Sequence, residues 1–250
     1  MSARVSIVTP TLNAERYLGA CLDSVRAQQE AVDGVEHLVV DGGSTDATKA
    51  IAQRAAGVVW LGRPGLNQSE AVNEGLRHAT GAVCAWLNAD DTYAPGALRF
   101  VVDQFDRQPQ LDALFGDCDV VDAHDRPLWR IAPGGYSFQR LLRRGNYIAQ
   151  PAAFLRARVF AQVGLLDPAL QYGMDYELWL RLRGLRVAYV PRVLATFRWH
   201  ATSKSATSQL RAWREVLDIV RRHGGGWTPE LVWAYLLCRL TLVRARLAPR

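Results

Sequence analysis

Cysteine, long apolar runs and C-terminal acid are what this 250-residue chain has least of. Its four cysteines, at 21, 84, 118 and 238, lie far apart with no C-x-x-C, so neither a zinc ribbon nor a disulfide framework is expected and a reducing cytosol is the implied compartment. The longest apolar stretch, Leu231 to Val243, is interrupted by Arg239 and falls short of the roughly 20 residues a spanning helix needs. The opening MSARVSIVTP has no apolar core followed by a cleavage site, so no signal peptide is expected. Internal repeats and low-complexity segments are also missing.

Acid is scarce only at one end. Met1 to Leu180 carries 16 basic and 21 acidic residues, a net of −5, whereas Arg181 to Arg250 carries 14 and 3, a net of +11. An acidic body with a basic tail implies an anionic partner for the tail: nucleic acid, an acidic membrane surface or a phosphorylated substrate. With 49% apolar and 22% charged residues the chain can bury a substantial core, which excludes global disorder.

Short β-branched runs alternate with helical patterns in the first half, as in an α/β chain building a parallel sheet covered by helices. Strands are predicted at Val5 to Val8, Val35 to Val40, Val58 to Leu61 and Val83 to Leu87, and a strand and hairpin from Ala113 through GDCDVVDAHDRPLW. The second half predicts a helix over Asp175 to Leu185 and short strands near Val187 to Val190 and Ala195 to Trp199. Helices follow over Ser208 to His223 and from Pro229 onward.

In an open sheet of this kind ligands sit beyond the carboxyl ends of the strands, and those ends are unusually polar here. The first ends in TPTLN, where Thr9, Thr11 and Asn13 either cap the next helix or offer hydrogen bonds to a base or ribose. The second ends in VVDGGSTDAT, where Asp41 either caps a glycine turn or meets ribose hydroxyls or a base N–H; the G-x-G-x-x-G fingerprint is absent. The fourth ends in CAWLNADDTYAPG, where Asp90 and Asp91 follow a buried strand. Uncompensated charge there is costly, so they face a ligand or a cation, for which hard oxygens suit Mg²⁺ or Mn²⁺, or else open a helix before Pro95.

TPTLN, VVDGGSTDAT, NQSEAVNEG, AWLNADDTYAPGAL, AQPAAF, MDYELWLRL and FRWHATSKS occur in the order seen in inverting GT-A-fold glycosyltransferases of the family 2 type, and this resemblance runs from about Val5 to Ser205. It implies a GT-A fold: a mostly parallel nucleotide-sugar-binding half over residues 1–122, a smaller mixed acceptor-side half over 123–205, and a basic helical extension over 206–250. Thr9, Pro10, Thr11 and Asp41 would line the nucleoside pocket. Asp90 and Asp91 would be the metal and ribose carboxylates, Asp91 on the Mn²⁺ or Mg²⁺ and Asp90 on the ribose or sugar, with Asn88 replacing the first acid of the D-x-D element. Gln68, Ser69 and Asn73 would approach the donor. Asn67 stands where the family has glycine and tolerates positive φ, and Glu70 replaces an aspartate whose donor contact would set sugar preference.

Asp175 falls at the catalytic-base position, with Glu177 as the alternative; otherwise Asp175 caps the helix and Glu177 pairs with Arg181. Gln150 and Pro151 would line the acceptor side. His200 would meet the metal or diphosphate, beside Ser203 and Lys204 on a closing loop.

The implied activity is metal-dependent inverting transfer of a sugar from a nucleotide donor, a UDP-sugar by preference, to a glycan or lipid-linked acceptor in cell-surface polysaccharide assembly. Transfer to polyprenyl phosphate and a non-catalytic nucleotide-sugar-binding or membrane scaffold role are the alternatives. Nucleic acid has no recognisable reading motif here and is not expected as a partner. The tail from Trp227, with Trp233, Leu236, Leu240, Val243 and Arg239, Arg244, Arg246 and Arg250, reads as an amphipathic helix for an anionic membrane interface at the inner face of the plasma membrane. The alternative is a helix packed on the catalytic body or on a second copy in a homodimer.

Overall fold

A computed structural model describes residues 5–29, 32, 34–200 and 209–236. The strands are β1 (Val5–Thr11), β2 (Val35–Asp41), β3 (Val58–Gly62), β4 (Val83–Trp86), β5 (Thr92–Tyr93), β6 (Ala113–Val121), β7 (Pro127–Ile131), β8 (Ala153–Arg156) and β9 (Val187–Arg198). They form one sheet in the order β3-β2-β1-β4-β8-β6-β9-β5, with β7 paired to β6. The first half is entirely parallel and the second mixed, with β8 antiparallel to β4 and β6, and β9 parallel to β6.

Helices α1 (Leu18–Gln29), α2 (Thr48–Arg54), α3 (Gln68–His78), α4 (Ala97–Arg107), α5 (Phe138–Arg144), α6 (Ala157–Val163), α7 (Met174–Arg181) and α8 (Gln209–Arg222) connect or flank the strands. The period-2 strands feed two layers: Val83, Ala85 and Leu87 pack on one face with Leu98 and Phe105 of α4. Cys84 and Trp86 pack on the other with Val72 of α3 and Trp179 of α7. Ile219 and Val220 of α8 and Leu231 of a last described helix, residues 229–236, are buried in this second layer, so both C-terminal helices share the body's core. Helix α3 packs closely enough on β1 that a Cβ at Gly75 would run into both methyls of Val8.

Two expectations change in detail. The helix carrying Asp175 ends at Arg181, because the chain tightens into turns at Leu182 and Arg183 and reverses through Gly184 at φ +86°. The two short C-terminal strands are one, β9, whose register against β6 shifts around Gly116 and Asp117. The interruption at Pro191 and Arg192 is a bulge rather than a loop; Gly116 leaves room for it, since a Cβ there would lie 2.6 Å from the Arg192 carbonyl.

Gly75→Ala should lower unfolding free energy by about 1–3 kcal/mol through overpacking against Val8, read as a reduced denaturation midpoint at unchanged m-value; an unchanged midpoint would contradict the close α3–β1 contact.

Candidate active site

The carboxyl ends of β1 and β4, the start of α3 and the segments before β8 and α7 surround a cleft of about 1220 Å³. That exceeds the roughly 300–1,000 Å³ of a typical small-ligand site and leaves room for two substrates. Its wall includes Pro10, Thr11, Asn13 and Gln68 near the parallel half and Asn146, Tyr147, Tyr172 and Asp175 near the mixed half, with Asp90 and His200 also on the wall.

Asp90 and Asp91 are adjacent in sequence and opposite in environment. Asp91 is only 1% exposed; one oxygen accepts the Arg198 backbone N–H at 3.0 Å and the other the Asn88 amide at 3.2 Å. Burial, then the neighbouring Asp90 charge, raise its pKa well above the usual carboxylate range. The resemblance puts the cation on Asp91, but the structure buries that carboxylate beneath the floor. Asp90 instead reaches the cleft, with Oδ2 2.9 Å from His200 Nε2. The His200 ring lies 5.1 Å from that of Tyr17, whose other neighbours are the guanidinium groups of Arg198 and Arg16.

One carboxylate oxygen and one imidazole nitrogen fit a Mn²⁺ or Mg²⁺ ion that completes its shell with substrate phosphates and water. Among the described residues no group of three or more acidic, histidine or cysteine side chains converges on a point, so an all-protein cage does not fit.

Near the parallel half Gln68 donates to the Asn88 side chain at 2.8 Å, and Asn88 donates to Gln150 Oε1 at 3.1 Å. Gln150 donates in turn to the Trp86 carbonyl. Gln150 is therefore tied to the D-x-D element rather than standing apart as an acceptor contact; Pro151 does line the cleft. The Thr11 hydroxyl is buried with no hydrogen-bond partner, an orphan a ligand at the cleft floor would satisfy. Asn13 adopts φ +50° and accepts from Thr45 N at 2.9 Å, so it fixes the glycine turn.

Several expected donor contacts are turned elsewhere. The Thr9 hydroxyl is buried 2.9 Å from His37 Nε2 and does not reach the cleft wall. Asp41 accepts from the Gly43 and Ser44 amides and from the Ser44 hydroxyl, which makes it the cap of its own turn. Ser69 donates to the Leu170 carbonyl at 2.9 Å, and Asn73 exchanges hydrogen bonds with the Leu166 backbone at 2.8 and 2.9 Å. Spaced i, i+4, they face the loop that leads into α7 instead of the donor. Asn67 needs no positive φ: at −76° it is the α3 N-cap, in a capping box with Glu70, whose carboxylate is thereby engaged.

Asp175 sits in the first turn of α7 on the cleft wall, and Asn146 donates to its Oδ2 at 2.8 Å. Burial pushes its pKa up to about 6, against the opposing pull of the Tyr176 amide and Asn146. Glu177 points away, paired with Arg181 at 2.8 Å and His223 at 3.3 Å. Glu215 of α8 accepts the backbone N–H groups of Gln171, Tyr172 and Gly173 at 2.7–3.1 Å, which pins the entry to α7. No sequence signal marked Asn146 or Glu215. Ser203 and Lys204 lie outside the described residues, as does the tail beyond residue 236.

A family model, glycosyl transferase family 2, matches residues 6–164. The chain belongs to glycosyl transferase family 2. A PGL/p-HBAD biosynthesis glycosyltransferase of Mycobacterium tuberculosis (strain ATCC 25177 / H37Ra) is 35% identical over 182 residues, covering 70% of this chain and 68% of that one. Staphylococcus aureus TarS 1-349 in complex with UDP-GlcNAc superposes with a TM-score of 0.71 at 16% identity, covering 95% of this chain and 73% of that one. The mannosyltransferase PcManGT of Pyrobaculum calidifontis, in complex with GDP-Man and Mn²⁺, gives 0.67 at 19% identity over 100% of this chain and 77% of that one. The match to TarS 1-349 in complex with UDP spans 65% of that chain. The protein is thus a family 2 glycosyltransferase with the GT-A fold. The family model ends before Asp175 and His200, so the cleft of this glycosyltransferase is completed from outside the matched segment.

Because the folded-state pKa of Asp175 lies above its unfolded value of roughly 3.9, its contribution to stability is full below pH 4 and lost as pH rises through about 6. Asp175→Asn should therefore match the wild type near pH 4 and exceed it by about 1–3 kcal/mol above pH 7, measured by denaturant unfolding; a difference independent of pH would contradict the burial argument.

Proposed function

We propose that this glycosyltransferase moves a sugar from a nucleoside-diphosphate donor, a UDP-sugar by preference, to a glycan or lipid-linked acceptor with inversion at the anomeric carbon, using Mn²⁺ or Mg²⁺, in cell-surface polysaccharide synthesis. The observation that carries this reading is one cleft walled by both the Asp90–His200 pair and a single raised-pKa carboxylate, Asp175. The UDP-GlcNAc of the TarS structure and the GDP-Man and Mn²⁺ of the mannosyltransferase structure support a nucleotide-sugar donor and a divalent ion. The PGL/p-HBAD biosynthesis relative supports a glycoconjugate acceptor.

Pro10, Thr11 and Asn13 receive the nucleoside, and the Gln68–Asn88–Gln150 chain supports the sugar. Asp90 and His200 hold the ion, which when bound takes up charge developing on the leaving diphosphate. Asp175 accepts the acceptor hydroxyl proton as that oxygen attacks the anomeric carbon from the face opposite the diphosphate. A carboxylate titrating near pH 6 is ionised at neutral pH yet basic enough to share the proton in the transition state. Asn146 fixes the orientation of Asp175. One displacement at carbon inverts configuration, and no enzyme nucleophile is required.

The C-terminal helix supports peripheral attachment to an anionic membrane at the inner face of the plasma membrane. Leu231 is buried against the body, and Thr228 and Glu230 bond to α5 through Arg143. The opposite surface exposes Trp227 at 54% and Trp233 at 63%, with Val232 and Leu236 beside them. Four arginines and no acid follow Glu230 in the sequence. No described helix is long and apolar enough to cross a membrane.

Incubated with UDP-, GDP- and dTDP-sugars, Mn²⁺ and acceptor extracts, the wild type should turn over at least one donor, and EDTA should abolish it. Asp175→Asn should lower transfer by about 10²–10⁴-fold with nucleotide affinity unchanged. Transfer that persists in Asp175→Asn would remove it as the base, and an absence of any metal-dependent nucleotide binding or turnover would sink the reading. Trp233→Glu should reduce flotation with phosphatidylglycerol vesicles about tenfold; flotation equal to wild type would remove this face as the anchor.

A further inference from the structure

Arg140, in α5, is the one lysine or arginine among the described residues of the cleft wall. Its guanidinium stacks on the Tyr147 ring at 4.0 Å and donates from Nη1 to the Pro133 carbonyl, while its Nε is buried with no hydrogen-bond partner. Arg158 pairs with Asp112, Arg181 with Glu177 and Arg198 with Asp125, and Arg156, which has no ion pair, gives its Nε and Nη2 to backbone carbonyls. No described carboxylate lies within ion-pair distance of Arg140. A guanidinium held in a fixed plane with one buried N–H unsatisfied and no counter-charge in reach is ready for an anion, and its fork suits a phosphate.

Position says whose anion it is. Tyr147 follows Asn146, which holds Asp175, so Arg140 belongs to the base's side of the cleft, away from the Asp90–His200 pair that serves the donor diphosphate. The far end of α5 is tied to the C-terminal segment that exposes Trp227 and Trp233, through the Thr228 hydroxyl on the Arg143 carbonyl at 2.6 Å and the Arg143–Glu230 pair at 3.0 Å. We infer that Arg140 receives a phosphate group of the acceptor, so that this enzyme glycosylates a phosphate-bearing acceptor. The inference rests on the glycosyltransferase reading of the cleft given above. A lipid phosphate and a phosphorylated water-soluble glycan share this chemistry.

Calorimetric titration of the full chain, without donor or metal, separates the sources. The probes are geranyl phosphate and glucose 1-phosphate, with geraniol and methyl glucoside as neutral controls. At least one phosphate probe should bind, its neutral control should not, and Arg140→Gln should weaken that binding about tenfold or more. Arg140→Lys keeps the charge but not the fork, and should bind about threefold to tenfold more weakly than wild type; it serves if the glutamine variant fails to fold. Preference for geranyl phosphate assigns the anion to a lipid, and preference for glucose 1-phosphate to a glycan. Wild-type affinity in both variants, equal binding of the neutral controls, no phosphate binding at all, or binding lost on His200→Gln but kept on Arg140→Gln would each overturn the proposal. Wild-type donor turnover, measured in parallel, tests the glycosyltransferase reading separately.

Discussion

The buried Asp91 carboxylate is the constraint around which the donor end of the cleft is arranged. A carboxylate taken out of water needs donors, and the structure supplies a backbone N–H from β9 and the Asn88 amide. The β9 residue that gives its N–H is Arg198, itself 3% exposed. Its side chain donates to the Asp90 and Asp122 carbonyls and pairs with Asp125 at 2.7 Å. One arginine thus fastens the D-x-D loop, the β6–β7 connection and the end of β9. The short β5 ladder, Thr92 and Tyr93 against Thr196 and Ala195, holds the same junction from the other side. Two residues beyond Arg198 the chain delivers His200 to Asp90.

A second interlock orients Asp175, the proposed base. The loop into α7 is held from α3 by Ser69 and Asn73 and from α8 by Glu215, while Ile219 fills the space where a Cβ on Gly173 would stand. Asp175 therefore inherits its position from elements about 40 residues later and 100 residues earlier in the chain. The C-terminal helices are part of the catalytic body, and α8 reaches the cleft wall with Ala212. The helix from residue 229 touches α8 through Tyr235 on Trp213 and α5 through Glu230 on Arg143, and α5 in turn accepts the Tyr176 hydroxyl of α7.

Much of this was legible because buried β-branched runs followed at once by polar residues mark strand ends, and strand ends mark ligands in a parallel sheet. Pro10, Thr11, Gln68, Asn88, Asp90, Asp175 and His200 all reach the cleft. The residues that face elsewhere do so for geometric reasons. Asp90 lies in the turn after β4 that the Asp91 N–H closes on the Asn88 carbonyl, so the two-carboxylate pattern could not say that Asp90 emerges and Asp91 is buried. Ser69 and Asn73 share a motif with Gln68, but one helical step of about 100° turns them to a different neighbour. Arg140, Asn146 and Glu215 sit in no local pattern; only the fold brings them to the base's side. The bulge at Pro191 and Arg192 broke the period-2 signal and made one strand read as two.

In the proposed enzyme Asp90 and His200 would form half of a divalent-ion site whose other half is the donor diphosphate. Electron paramagnetic resonance of Mn²⁺ titrated into the protein, with and without UDP or GDP, tests it directly. The expected result is weak Mn²⁺ binding alone, much tighter binding with the nucleotide, and loss of that gain in Asp90→Asn. Mn²⁺ held equally well without nucleotide, or a nucleotide-dependent gain preserved in Asp90→Asn, would contradict it.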